Sequence, residues 1–150
     1  MYQTTVLKSL TFSLEGSTLY SKNISQLERF QQFCLREILN IRWQDRVTNE
    51  AVLDRCGCVS IASLLVKSNL SWSGHVARMD DTRIPKQFLY GELCIGSRAH
   101  GGQRLRFKDT LRLNLKKCKI GDDWETLAEE RVGWRKLVSD SVKQFENDRV

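Results

Sequence analysis

Proline occurs once in the 150 residues, at Pro85, and glycine only nine times. An all-β sandwich needs many turn residues, and collagenous or low-complexity chains need far more of both, so these classes are excluded and helices are favoured. No apolar run approaches the roughly 18 residues of a membrane span. The amino end also lacks the basic start, apolar core and small-residue cleavage site of a secretion signal. The expectation is a soluble, intracellular chain, in the nucleus or the cytoplasm, with no membrane partner. Histidine is scarce too, at His75 and His100 alone. The five cysteines (Cys34, Cys56, Cys58, Cys94 and Cys118) are odd in number and irregularly spaced, so they read as reduced thiols rather than a disulfide framework. Cys56 and Cys58 flank a glycine, but no second pair of ligands stands at finger or knuckle spacing, so no metal is expected.

Catalytic patterns are missing as well. There is no Ser/His/Asp or Cys/His set, no Walker loop, no Rossmann glycine signature and no metal-binding His pair. The nearest approach is Met79-Asp80-Asp81, which looks like the paired carboxylates that hold magnesium in polymerases. That chemistry needs the pair on a strand turn and a third carboxylate on a neighbouring strand. Here the pair ends an amphipathic helix. The chain is therefore expected to be no enzyme, with no catalytic residue and no cofactor.

What remains is globular: 41% apolar, 28% charged, with four Trp and six Phe. A chain of this length can bury roughly 70% of its unfolded surface around one core. The fold class expected is all-α, an irregular array of about six helices. Residues 1 to 20 read as a short helix. From Ser21 to about Asn40, Ile24, Leu27, Cys34, Leu35 and Ile38 recur at helical steps, and Phe30 and Phe33 widen the stripe. Thr48 and Gly57 bracket a two-turn helix as N-cap and C-cap. The strongest signal is the arc Ile61, Leu64, Leu65, Ser68, Trp72, Val76 and Met79, opened by Ser60; it predicts a central helix with Trp72 in the core and His75 as a neutral core histidine at the arc's edge. Pro85 suits the first turn of a short helix through Tyr90. Phe107, Leu111, Leu115 and Cys118 make the apolar side of another, which Gly121 is expected to stop. Asp122 or Asp123 then caps a last segment, broken near Gly133, whose core side is Trp124, Leu127, Ala128, Trp134, Leu137, Val138, Val142 and Phe145.

The formal charge is +6, and one stretch carries it. Residues 98 to 119 hold Arg98, Arg104, Arg106, Lys108, Arg112, Lys116, Lys117 and Lys119 against a single acid, Asp109, so the rest of the chain is slightly acidic. A concentrated basic block is the footprint of a phosphate-binding surface, because each neutralised phosphate releases condensed counterions. The competing reading is a solvated helix face, or a face attracted to the acidic residues after 120.

Several runs resemble a known family. These are SQLERFQQFCLREILNIRWQDRVTNEAVL (25 to 53), LSWSGHVARMDDTRIPKQFLYGEL (70 to 93), RLRFKDTLRLNLK (104 to 116) and the Trp124 to Trp134 segment. They are similar, in the same order, to the region downstream of the polymerase core in reverse transcriptases of non-LTR (LINE-type) retrotransposons. The W-x-G-H-V-x-R-M string at Trp72 to Met79 and R-F-K-D at Arg106 to Asp109 are its most recognisable marks. Departures occur in LTFSLEGSTLY (10 to 20), where Ser13 replaces a glycine and Ser17 a tryptophan, and at Gly101-Gly102-Gln103. The resemblance implies a truncated, decaying copy without the endonuclease and the catalytic palm. It divides the chain into a thumb-like segment, 1 to 45, and a helical carboxy-terminal extension, 46 to 150. The implied function is non-catalytic binding of an RNA or DNA backbone through the eight cations, at low specificity. The alternative is a non-functional or protein-interaction remnant.

Overall fold

The computed structural model describes residues 2–91 and 105–149, and among these every regular element is helical. A π-helical turn at Gln3–Leu7 runs into α1 (Lys8–Thr11), and a 3-10 turn at Leu14–Gly16 precedes α2 (Ser21–Ile38). A second 3-10 turn, Trp43–Asp45, leads to α3 (Asn49–Cys56) and α4 (Ile61–Ala77). Then follow α5 (Ile84–Tyr90), α6 (Phe107–Lys117), α7 (Trp124–Glu129) and α8 (Arg131–Asn147). The described residues thus hold eight α-helices where about six were expected. Three of them, α1, α5 and α7, are runs of four, seven and six residues that tertiary packing supports although they are too short to persist alone.

Local signals set most boundaries. Thr48 Oγ1 accepts from the Ala51 N–H, and Gly57 closes α3 in the left-handed region at φ 57°. Ser60 Oγ accepts from the Ser63 N–H at the start of α4, and Pro85 lies in the first turn of α5. Two boundaries fall elsewhere than expected. Lys119, at φ 55°, rather than Gly121, turns the chain after α6. The final break comes at Glu130, not Gly133, because the Glu130 carboxylate accepts from both the Val132 and the Gly133 N–H and opens α8 there.

Helix α4 is the axis. It touches α2, α5, α6, α7 and α8, and buried residues go round it: Ile61, Leu65, Val66, Leu70 and Val76, with Ser63, Asn69, Ser73 and Gly74 between them. The small residues let neighbours approach closely. The main core joins Val66, Leu70 and Val76 to Leu89, to Phe107, Leu111 and Leu115 of α6, and to Trp124, Trp134, Val138 and Val142. A second cluster places Leu7, with Leu10, Leu14, Ile24 and Leu27, over Ile61 and Leu65.

Several expected core positions are less buried than expected. Trp72 is half-buried and flanks the core, edge-to-face on Phe107 at 4.8 Å. His75 is exposed, since α4 turns its fuller side toward Leu70, Ser73 and Gly74. Phe30, Phe33, Ile38 and Leu127 are also exposed. On α2 the interior position goes to Gln31, whose amide donates to the Val59 carbonyl (2.9 Å) and accepts from the Ile61 N–H (3.2 Å). A polar side chain wins there because it satisfies two backbone groups at the start of α4, where no helix partner exists.

At the same end Glu146 of α8 accepts from the Ser60 N–H (3.0 Å), from the Ser60 hydroxyl (2.6 Å) and from the Ser63 hydroxyl. Burial alone would raise its pKa, but these donors and the Arg149 guanidinium outweigh it and hold the carboxyl below its ordinary range. A group depressed in the folded state stabilises above its unfolded pKa and loses that contribution as pH falls through the folded value. Glu146→Gln should therefore destabilise most at neutral pH, with the gap to the parent narrowing as pH falls below the ordinary glutamate range. Urea midpoints of both proteins over that fall in pH check this, and a constant gap would refute it.

Helices α4 and α8 approach each other closely. The Trp134 indole lies against Gly74 and donates from Nε1 to the Leu70 carbonyl at 3.1 Å. A Cβ on Gly74 would stand 2.1 Å from that nitrogen. Alanine gains up to about 1 kcal/mol in helix propensity, but overpacking against a fixed indole costs about 1–3 kcal/mol. Gly74→Ala is thus expected to lower the melting temperature, whereas Gly16→Ala, with open space at its Cβ, leaves it nearly unchanged. A Gly74→Ala protein that melts above the parent would rule out this packing.

Candidate nucleic-acid interface

Helix α6, with Arg106 before it and Lys119 after it, carries the described part of the basic block. It starts because Asp109 accepts from the Arg106 N–H at 2.9 Å, the carboxylate arm of a capping box. The Arg106 side chain closes on the same carboxylate, Nε at 3.2 Å and Nη2 at 3.4 Å. Backbone donation from Arg106, then its side chain, holds the Asp109 carboxyl below the usual range. The apolar side is as expected: Phe107, Leu111, Leu115 and Cys118 are all buried. Burial pushes the Cys118 thiol up to about 11, which makes it a packing residue rather than a reactive one.

The cations do not form a single patch. At steps of four, Lys108, Arg112 and Lys116 share one flank of α6. Lys117 lies on the opposite flank, beside a small cleft of about 150 Å³ with Tyr20, Ile24 and Leu113. Lys119 has left the helix and pairs with Asp148 at 2.8 Å. Arg106 is committed to Asp109. Arg98 and Arg104, with the glycine loop they belong to, lie outside the described residues. Three of the eight expected site residues are thus brought together, and three described ones are not.

The Lys108 flank borders a cleft of about 610 Å³. Lys108 and Arg112 form one wall; Asp122, Trp124 and Glu125 form the other, with Leu89 and Tyr90 between. The Tyr90 hydroxyl donates to Glu125 at 2.9 Å, and burial together with that carboxylate raises the phenol pKa. No spacing in the sequence connects Tyr90 or Glu125 to the basic block; only the packing of α5 and α7 against α6 does. Both signs of charge meet here. Arg112 and Lys116 are exposed, and neither forms an ion pair with a described residue.

The Asp80-Asp81 pair is occupied within its turn. Asp80 accepts from the Thr82 N–H (2.9 Å) and hydroxyl (2.6 Å), and Asp81 pairs with Lys86 at 2.8 Å. Among the described residues no group of three or more His, Cys, Asp or Glu side chains is placed to hold a metal ion, and no helix is long and apolar enough to cross a membrane. Comparison of the chain with protein-family models, curated proteins and solved structures finds no match.

The start of α6 rests on one carboxylate that both caps the helix and complements its dipole. Asp109→Ala should lower stability by about 1 kcal/mol. Asp109→Asn, which keeps an acceptor, should recover part of that loss. Thermal melting of the two variants checks the pair, and equal melting of Asp109→Ala and the parent would show that α6 needs no cap.

Proposed function

We propose that the chain is a non-catalytic, helical nucleic-acid-binding module that holds RNA or DNA by the phosphate backbone. It corresponds to the thumb and downstream extension of a non-LTR retrotransposon reverse transcriptase, the region its sequence resembles. One observation carries the reading: Arg112 and Lys116 stand exposed on the same flank as Lys108, a row of cations along a rigid helix whose opposite side is anchored in the core. Such a row follows a backbone. It positions a strand without reading bases, since phosphate contacts carry no sequence information.

A second reading has its own support. Phe30 and Phe33, one turn apart on α2, are 44% and 63% exposed, and Trp43 is 86% exposed. These exposed aromatic side chains, with the acidic wall of the α6 cleft, favour a helical remnant that contacts protein rather than nucleic acid.

Salt separates the two. Binding of unrelated RNA and DNA sequences, followed by fluorescence anisotropy, should weaken steeply with salt, with a log-log slope of about −0.9 per duplex contact and about −0.7 on single strands. Arg112→Gln with Lys116→Gln should weaken all sequences alike and flatten the duplex slope by about two units. Unchanged affinity and slope in that double variant would sink the nucleic-acid reading of α6.

A further inference from the structure

A second group of cations lies outside the basic block, at the junction of α4, α7 and α8. Arg78 follows the last turn of α4, and its Nη1 donates to the Ala128 carbonyl at 2.5 Å, at the carboxy end of α7. Three residues further on, Arg131 opens α8, and Arg135 stands one turn later on the same face. Gly74, one turn before Arg78 on α4, is covered by Trp134, which stands between Arg131 and Arg135 in α8, so the end of α4 and the start of α8 lie together. Burial, and then the charges of Arg131 and Arg135, make Arg78 easier to deprotonate than an ordinary arginine.

The arrangement is electrostatically unfavourable by itself. Arg78 has a structural use, since a cation at the carboxy end of α7 is favoured by the helix dipole. Arg131 and Arg135 have none. Arg131 occupies the first position of α8, where the dipole disfavours a cation. Glu130, the adjacent acid, is occupied by the Val132 and Gly133 N–H groups. Neither Arg131 nor Arg135 forms an ion pair with a described residue. Planar guanidiniums at one helix junction, with no carboxylate paired to them, match the oxygens of a phosphate, which would remove the repulsion on binding.

We propose that Arg78, Arg131 and Arg135 form a second phosphate-binding site, which takes a backbone phosphate of the same nucleic-acid strand that lies along α6, an inference that rests on the function proposed above. Helix α7 links the two places. Its first residues, Trp124 and Glu125, line the α6 cleft, while Ala128 near its other end holds Arg78. Six helical residues span about 9 Å, so a strand of a few nucleotides reaches both.

The test uses Arg131→Gln with Arg135→Gln, which leaves Arg78 and its bond to Ala128 in place, beside the Arg112→Gln/Lys116→Gln control. Without added anion the Arg131/Arg135 variant should melt at or above the parent, because repulsion is relieved; a lower melting temperature would mark these arginines as structural and overturn the site. Tripolyphosphate should raise the melting temperature of the parent and of the control, and fail to do so in the Arg131/Arg135 variant. On duplex DNA that variant should flatten the salt slope by about two units. If the parent binds DNA and the slope is unchanged by the Arg131/Arg135 substitutions, this inference falls and the proposed function stands. If tripolyphosphate protects through Arg131 and Arg135 but the parent binds neither RNA nor DNA, the strand is refuted as the ligand and the proposed function falls with it.

Discussion

The contact of Trp134 with Gly74 is the constraint on which the rest of the described structure depends. An indole can lie flat on a helix only where no Cβ projects, and its ring N–H must find an acceptor once buried. Gly74 and the Leu70 carbonyl meet both conditions on adjacent turns of α4. Because Trp134 is in the first turn of α8, that one contact sets where α8 begins relative to α4. Trp124 packs at 6.0 Å from Trp134 and carries α7 into place. The far wall of the α6 cleft, and the approach of Arg131 and Arg135 to Arg78, both follow from it.

The opposite end of α4 is held by polar groups. Its unpaired amino-terminal N–H groups are met by Gln31 from α2, by Ser60 locally, and by the Glu146 carboxylate from α8. Glu146 also places negative charge at the positive end of the helix. Arg149 completes the junction, bonding Ser60 Oγ at 2.9 Å and Glu28 at 2.7 Å. Segments distant in sequence are thereby joined through groups that would each be costly to bury alone. A buried amide pair, Asn114 on Asn69 at 3.0 Å, does the same for α6 against α4.

Charge follows a different logic from packing. The basic block is continuous in sequence, but a helix distributes consecutive residues around its axis, and the cations divide between two flanks, a cap and an ion pair. The acids after residue 120 likewise divide. Asp122 and Glu125 face the cleft, Asp148 meets Lys119, and Glu130 caps α8. Net charge over a segment therefore overstates both the phosphate surface and its intrachain competitor.

Helix class and most helix limits were legible in the residues themselves, because their causes are local. Thr48, Ser60, Gly57 and Pro85 act within one turn of where they stand, and the Phe107, Leu111, Leu115 and Cys118 stripe needs only the helical period. Ser13 is a local case of another kind. It takes φ 63° at the position where the resemblance expects glycine, a conformation that costs a residue with a Cβ about 1–2 kcal/mol. Burial could not be read in the same way. Gln31 is inside while Phe30 and Phe33 are outside, since which side of α2 is covered depends on a backbone segment about thirty residues later. Trp72 and His75 lie toward the surface for a related reason: α4 has neighbours on most sides, and the deepest contact goes to the partner that approaches over Gly74. The sequence alone determined the helical class, the caps at Thr48, Gly57 and Ser60, and the position of the basic block. Only the tertiary structure decided which acids oppose the cations and that Arg78, Arg131 and Arg135 fall at one junction, because those relations depend on how separate helices pack and no periodicity encodes that.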